Sequence, residues 1–257
     1  VVNSLTPAKL DLRTTIVNFQ GEHLKNISRS LNTVTTPYSG PVPYPSIGDV
    51  GGDSSLEIIV PYPSTLNRGR IRVYDYSLEE LIEISGMVGS VDSSCALGDM
   101  DGDGKEDILI QSKFYTTRWI MGMYCYVLDF STTQNSFEEL WSVEAPVSGP
   151  NTVRLHSPPL VCDLNQDAAP DAVFPGNEWI YAVSDQGSLL WNLSVQGHLF
   201  QSVGVAGDLS GDDFTSVYID GHMISQKKID LFVDEPFDTN IYLSVPNPVA
   251  GDPVRIN

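Results

Sequence analysis

The sequence has little positive charge. Lys and Arg together number 14 against 33 Asp and Glu, so the formal net charge of the 257-residue chain is −19. A protein that binds nucleic acid through its phosphates needs the opposite balance, which argues against a nucleic-acid partner. The sequence also lacks any run of 18 apolar residues, so it predicts no membrane insertion of this fragment.

Cysteine and histidine are scarce as well. The three cysteines, Cys95, Cys125 and Cys162, form neither a disulfide scaffold nor a metal-ligand spacing. Each lies in an apolar run, which favours buried free thiols, with one disulfide as the alternative. The four histidines are scattered and have no recognisable partner motif, so we expect surface or capping roles for them and no catalytic residues.

Aspartate is abundant, and it is patterned. In residues 99–107 side-chain oxygens fall at positions 1, 3, 5 and 9 of a loop, on Asp99, Asp101, Asp103 and Asp107. Calcium takes six to eight oxygen ligands, and alternate residues of a tightly curled loop can direct their carboxylates at one centre. The spacing therefore predicts a calcium site.

Two further residues of this loop support the interpretation. Gly104, at position 6, can take the positive φ that the curl needs, and the carbonyl of Lys105 at position 7 offers another oxygen. The alternative is a solvated hairpin turn, since Asp-Gly is by itself a strong turn signal.

The loop recurs four times in the chain, at residues 49–57, 99–107, 163–171 and 208–216. Three apolar residues follow each copy in the same register, and an insertion around residues 112–122 explains the longest interval between copies. Each repeat predicts four short strands, with the acidic loop between the first and the second. A four-stranded unit that cannot bury both faces alone indicates a blade of a β-propeller, so we predict an all-β fold with about four blades.

The two ends of the chain are predicted separately. Residues 17–28 align with residues 183–194, so the chain starts in the second half of a blade. Residues 14–28 either complete the last blade and close the ring, or further blades lie upstream.

From about residue 229 the acidic pattern is lost, and a strand, a Pro/Gly turn and a second strand follow. We therefore predict a propeller over residues 1–228, a linker with the start of an immunoglobulin-like domain over 229–257, and a longer protein cut at both ends.

The loop at 99–107, preceded by Gly98 and followed by the apolar residues 108–110, resembles the FG-GAP/VCBS repeats of integrin-α-type β-propellers. That resemblance implies a propeller with calcium bound in hairpin loops at the blade edge, serving in extracellular adhesion or as a scaffold. The tail at 247–254 is similar to the start of CARDB and related adhesion sandwiches.

The resemblance also implies the ligands. In two loops the oxygen set is complete: Asp99, Asp101, Asp103, Lys105 through its carbonyl and Asp107; then Asp163, Asn165, Asp167, Ala169 through its carbonyl and Asp171. The other two loops depart from the pattern and are expected to bind more weakly or to be plain hairpins. Their candidates are Asp49, Asp53 and Glu57 in one loop, which has Gly51 at position 3, and Asp208, Ser210 and Asp212 in the other, which ends in Ser216.

Two pairs of residues occupy equivalent positions in different repeats. Trp141 and Trp191 predict packing between blades, with a sugar-stacking platform as the alternative. Asn26 and Asn192 lie in N-glycosylation sequons, which makes a shared exposed edge an attractive interpretation.

Together these features predict a non-enzymatic, calcium-stabilised β-propeller of a secreted or cell-surface glycoprotein. Its role is adhesion or recognition, with a protein or glycan as ligand. Two alternatives stay open: a structural subunit of an extracellular filament or cell-wall layer, which would self-associate, and a propeller-type carbohydrate-active enzyme.

Overall fold

The computed structural model is built from antiparallel β-sheets joined by turns. It describes residues 2–6, 11–18, 20–30, 43–62, 68–89, 91, 93–116, 119–131, 136–146, 157–176, 179–195, 203–209, 211, 214–225 and 241–244. None of these residues lies in a helix, and the all-β prediction is confirmed for them. A helix long and apolar enough to cross a membrane is accordingly not found in this part of the chain.

The strands form five sheets, which we number along the chain. Sheet 1 consists of β1 (Val2–Thr6), β2 (Asp11–Val17) and β3 (His23–Ser30). Sheet 2 consists of β4 (Ser46–Gly48), β5 (Glu57–Tyr62), β6 (Arg68–Tyr74) and β7 (Glu80–Val88). Sheet 3 consists of β8 (Ala96–Gly98), β9 (Asp107–Thr116), β10 (Trp119–Ser131) and β11 (Ser136–Pro146).

The remaining strands follow the same plan. Sheet 4 begins with β12 (Leu160–Cys162), β13 (Asp171–Pro175), β14 (Trp179–Val183) and β15 (Leu189–Val195). Sheet 5 consists of β16 (Val205–Gly207), β17 (Ser216–Ile219) and β18 (His222–Ser225). The last described strand, β19 (Ile241–Ser244), pairs antiparallel with β15 and makes sheet 4 five-stranded.

Consecutive sheets pack face to face through apolar clusters. Ile59 of β5 packs toward sheet 3, whereas its neighbours Ile58 and Val60 belong to the cluster that sheet 1 contacts. Side chains alternate between the faces of a strand, so a strand covered on both sides must be apolar throughout. This explains the runs of three apolar residues after the first three acidic loops, which are confirmed as buried in sheets 2, 3 and 4.

The N-terminal strands differ from the expectation. Residues 14–28 do not complete the last sheet: β2 and β3 pair with β1, which the repeat pattern had not indicated, and sheet 5 has three described strands of its own. Ile16 and Ile27 pack against sheet 2 instead. The apolar clusters join only consecutive sheets, and no closed ring is found among the described residues.

The insertion predicted at 112–122 extends a hairpin. β9 and β10 continue their pairing as far as Thr116 and Trp119, with a register shift between Ile120 and Gly122. The longest interval between the repeats is therefore filled by strand pairs of sheet 3.

Trp141 and Trp191 pack between neighbouring sheets, and the cysteines are not bonded to one another. Trp141 of sheet 3 donates from Nε1 to the carbonyl of Asp185 at 2.6 Å and meets the ring of Phe174 edge-on, with centroids 6.1 Å apart. Trp191 packs in the cluster between sheets 4 and 5, so packing between sheets is confirmed for both residues. All three cysteines are free thiols, as expected from the apolar runs around them.

Candidate metal centre

The four acidic loops occupy one structural position. Each follows the short first strand of its sheet and precedes the second, and these first strands, β4, β8, β12 and β16, lie next to one another in consecutive sheets. We name each loop after its first aspartate, from the Asp49 loop to the Asp208 loop. The repeat in sequence thus produces a row of carboxylate-bearing loops.

Asp99 forms the curl of its loop. Its Oδ1 accepts a hydrogen bond from the Gly102 N–H at 2.8 Å, and its Oδ2 accepts one from the Gly104 N–H at 3.0 Å. Gly104 has a φ of 89°, which confirms the conformation expected at position 6, and Gly102 at position 4 has a φ of 78°. The first carboxylate therefore bonds to the two glycines whose left-handed conformation closes the turn.

Three carboxylates of this loop converge. Asp99, Asp101 and Asp107 each offer an oxygen, and these oxygens lie within 4.8 Å of one another. Asp107 is 1 % exposed, and its Oδ2 accepts a hydrogen bond from the Met100 N–H at 2.8 Å. Burial, reinforced by the charge of Asp101, raises the pKa of Asp107 to about 7. A divalent cation at this point would stabilise the ionised form that burial disfavours.

A further carboxylate, Asp129 of β10, was missed in the sequence. Oxygens of Asp101, Asp103 and Asp129 also lie within 4.8 Å of one another. The pairing of Ile108 with Leu128 brings residue 129 beside the loop. That register depends on the long β9–β10 hairpin, so nothing in the loop motif itself could have indicated Asp129.

Lys105 neutralises part of this second group. Its Nζ lies 2.8 Å from Asp103 Oδ2 and 2.7 Å from Asp129 Oδ1. Burial is the largest single effect on the pKa of Asp103 and raises it, but the hydrogen bonds and the charge of Lys105 together outweigh burial and leave that pKa below its usual range. The Lys105 side chain thus supplies a positive charge to Asp103 and Asp129, while Asp101 belongs to both groups of converging carboxylates.

The Asp163 loop repeats the same bonds. Asp163 accepts hydrogen bonds from the N–H groups of Gln166 at 2.6 Å and Ala168 at 3.0 Å. Gln166 and Ala168 have φ values of 63° and 69°, in the region that glycine normally occupies. The curl therefore forms without glycine, at a cost in backbone strain of about 1–2 kcal/mol for each residue.

Asp171 at position 9 is the least satisfied carboxylate of the site. It is 0 % exposed, its Oδ2 accepts from the N–H groups of Leu164 at 2.8 Å and Asn165 at 3.2 Å, and its Oδ1 has no hydrogen-bond partner. Burial and the charges of Asp167 and Asp163 raise its pKa to about 6, against the lowering effect of the two N–H donors. A buried oxygen without a partner costs about 1–3 kcal/mol, which a bound cation would remove.

Asn165 and Asp167 complete this loop. The N–H of Asp167 donates to Asn165 Oδ1 at 3.0 Å, and the N–H of Ala169 donates to Asp167 Oδ1 at 2.9 Å. The side chains at positions 3 and 5 are thus held on the loop by backbone bonds, as in the Asp99 loop.

The Asp49 loop has the same curl and a different interior. Asp49 accepts from the N–H groups of Asp53 at 3.1 Å and Ser54 at 2.8 Å. Glu57 is 4 % exposed, and its Oε2 accepts from the N–H of Gly51 at 3.1 Å, so the longer side chain reaches the position that lacks an oxygen ligand. Burial raises the pKa of Glu57.

The Asp208 loop is described only in part. Asp208 Oδ1 accepts from the Gly211 N–H at 2.7 Å, the equivalent of the bond between Asp99 and Gly102. Ser216 at position 9 is buried, and its hydroxyl has no partner. The candidates Ser210 and Asp212 lie outside the described residues.

The two sequons have different surroundings. Asn26 is exposed, and its Nδ2 lies 2.9 Å from His23 Nε2. Asn192 is half-buried in β15, where it pairs with Ser244 of β19. The shared exposed edge is therefore not found, because β19 covers the edge on which Asn192 lies.

Comparison with known proteins finds a weak likeness among solved structures. No protein-family model matches the chain, and no curated protein matches it. Among solved structures, it is similar to the crystal structure of the biofilm matrix protein Bap1 of V. cholerae, with 20 % sequence identity and a TM-score of 0.43. The alignment covers 72 % of this chain and 29 % of that chain, so this chain spans less than a third of the length of Bap1.

Proposed function

We propose that this protein is a calcium-stabilised β-propeller domain that acts as a non-enzymatic adhesion or recognition module of a secreted or cell-surface protein. The observation that carries the proposal is the pair of buried carboxylates at position 9, Asp107 and Asp171, each at the end of an acidic loop. Asp171 Oδ1 is buried without a partner, and Asp107 lies within 4.8 Å of two further carboxylates. Burial disfavours the ionised form of both residues, and a cation beside them would stabilise it.

In this proposal each of two loops holds one calcium ion. The first ion is bound by Asp99, Asp101, Asp103, the carbonyl of Lys105 and Asp107. The second is bound by Asp163, Asn165, Asp167, the carbonyl of Ala169 and Asp171. The Asp49 and Asp208 loops have fewer carboxylates and bind more weakly.

The sheets are the blades of the propeller. Consecutive sheets stack through apolar faces, and their first strands lie side by side, as the inner strands of propeller blades do. Residues 1–228 form the propeller or part of one, and residues 229–257 lead into an immunoglobulin-like domain. Strand β19 lies in this second segment and pairs with β15 of sheet 4.

The extracellular role follows from the calcium. Extracellular modules bind calcium at about 0.1–1 mM, the concentration range in which it serves as a structural ion. The partner of this domain is a protein or a glycan at the cell surface. The aspartates of the acidic loops bind calcium in this proposal.

A calcium titration tests the structural part of the proposal. Isothermal titration calorimetry should detect two sites, and thermal melts should show a higher midpoint with calcium than with excess chelator. One site adds about 2.7 kcal/mol when free calcium is 100 times Kd, a rise of about 5 °C or more for a domain of this size. An equal concentration of magnesium is the control, because magnesium demands a smaller, octahedral site. An unchanged midpoint would contradict the proposal.

Binding assays test the recognition role. Labelled protein should bind an immobilised glycan, a cell surface or a purified surface protein in calcium and lose that binding in chelator. Concentration-dependent assembly of the protein alone would favour the structural-subunit alternative, and hydrolysis or elimination of a polysaccharide would favour the enzyme.

A further inference from the structure

The Asp49 and Asp99 loops are joined by a pair of reciprocal hydrogen bonds. Glu106 Oε2 accepts from the Asp49 N–H at 2.8 Å, and the Glu106 N–H donates to the Asp49 carbonyl at 3.1 Å. These bonds link sheets 2 and 3 at the end where the loops lie. Because both partners are partly buried, the bonds are shielded from competing water.

Gly48, just before the Asp49 loop, and Gly52, within it, leave space for side chains of the Asp99 loop. A Cβ at Gly48 would collide with Glu106 Oε2, and a Cβ at Gly52 would collide with Cγ of Lys105. The Lys105 and Glu106 side chains therefore lie directly on the backbone of the Asp49 loop. Gly52 also has a φ of 69°. A glycine at this position therefore allows the left-handed turn of its own loop and also the close contact with Lys105.

The residues that make this contact lie inside the proposed calcium site. Lys105 and Glu106 occupy positions 7 and 8, immediately before the buried Asp107. The carbonyl of Lys105 is one of the proposed ligands, so any movement of this segment against the Asp49 loop moves two ligands of the ion.

The contact is specific to these two loops among the equivalent positions. Position 8 is Pro170 in the Asp163 loop and Thr215 in the Asp208 loop, and neither can present a carboxylate to a neighbour. The Asp49 loop in turn has lost the ligand at position 3, where Gly51 donates its N–H to Glu57.

We propose that the Asp49 loop is a docking platform for the Asp99 loop, and that Glu106 is the positioning residue that couples them. This inference rests on the proposed function, since it assigns calcium to the Asp99 loop. Calcium bound there holds residues 105–107 in place and thereby orders the Asp49 loop and the packing of sheet 2 on sheet 3. By linkage, the intact platform strengthens calcium binding by the same factor.

The first test is the calcium affinity of the Asp99 loop, measured by calorimetry in an Asp163→Ala background that disables the other strong site. Glu106→Ala should weaken binding about 10-fold, the scale for removing a partner that orients metal ligands. Glu106→Gln keeps an acceptor oxygen and should recover most of the loss. Glu139→Ala removes an exposed carboxylate from β11 of the same sheet and controls for net charge.

The second test is amide hydrogen exchange of residues 49–57 with calcium and with chelator. In the unaltered protein calcium should slow this exchange, although the ion is bound by the other loop. The slowing should disappear in Glu106→Ala, and also in Asp101→Asn, which removes a charged ligand of the Asp99 loop. A role of Glu106 in stability alone would not make exchange in one loop depend on calcium in the other.

The outcomes separate this inference from the proposed function. If calcium changes neither the melting midpoint nor the exchange of any loop, the proposed function fails. If calcium stabilises the protein but Glu106→Ala has the same calcium affinity as Glu139→Ala, the proposed coupling is wrong and the proposed calcium sites are supported. When the exchange is repeated in the Asp163→Ala background, slowing at residues 49–57 that persists in Asp101→Asn means that calcium binds the Asp49 loop directly, which also overturns the coupling.

Discussion

The Asp49 and Asp99 loops share a backbone and differ in chemistry. In both loops the first aspartate accepts hydrogen bonds from N–H groups that lie three to five residues ahead, and positions 4 and 6 have positive φ. In the Asp99 loop the interior is filled by converging carboxylates, whereas in the Asp49 loop Glu57 bonds to the N–H of Gly51. The backbone conformation of the loop and its ability to bind a cation are therefore separable. The aspartate at position 1 stabilises the conformation, and the residues at positions 3 and 9 determine whether a cation binds.

The largest difference between the two loops is expected when the buried carboxylates at position 9 are neutralised. In calcium, Asp107→Asn should lose most of the stabilisation of its site, about 1–3 kcal/mol, and Glu57→Gln should leave the calcium-induced rise in melting midpoint unchanged. In chelator, Asp107→Asn should be neutral or stabilising, because it removes a buried charge near Asp101. Melts of both variants with and without calcium measure this. Equal calcium responses would show that the two loops do not differ in ion binding.

The comparison can also be sharpened by restoring the missing ligand. Gly51 does not need the left-handed region, so Gly51→Asp fits the backbone and puts a carboxylate at position 3. The variant should gain a calcium site, with about 1.4 kcal/mol of added stabilisation when free calcium is ten times Kd. Calorimetry should then detect one more ion than in the unaltered protein. Gly51→Asn, which adds an uncharged oxygen, is the matched control and should gain less.

The pH dependence of the metal-free protein tests the buried carboxylates through its sign. Burial raises the pKa of Asp107 to about 7 and that of Asp171 to about 6, above the ordinary value of 3.8. Between about pH 4 and 7 the folded state therefore binds more protons than the unfolded state, so the free energy of unfolding falls as the pH rises through this range. Denaturant melts in chelator check the sign, and Asp107→Asn should flatten the dependence more than Glu57→Gln. Stability that rises from pH 4 to 7 would contradict these pKa values.

The smallest effect concerns the curl. Ala168 has a φ of 69° where the Asp99 loop has Gly104. Ala168→Gly removes left-handed strain of about 1–2 kcal/mol but increases the entropy of the unfolded chain by about 0.4–1 kcal/mol, so a net gain of about 0.5–1 kcal/mol is expected. Gly104→Ala should lose a similar amount, since nothing within 4 Å blocks the added Cβ. Denaturant melts in saturating calcium compare the two, and a loss in both variants would mean that the strain is not the deciding factor.

Much of the site was predictable because its bonds are local. The bonds that shape the Asp99 and Asp163 loops join residues two to seven positions apart, so the spacing of the aspartates already implies the curl. The same holds for the buried strand after each of the first three loops, where an unbroken apolar run indicates a strand covered on both faces. The calcium, the propeller and the adhesive role stay predictions.

The tertiary structure alone decided which distant residues meet. Asp129 reaches the Asp99 loop through the register of β9 with β10, and Glu106 meets Asp49 across 57 positions of sequence. Strand β1 and the pairing of β19 with β15 were likewise not contained in the repeat pattern. Loop shape follows from hydrogen bonds within a few residues, which the order of amino acids specifies directly. Contacts between sheets depend on how whole faces pack, and many distant residues contribute to that packing together.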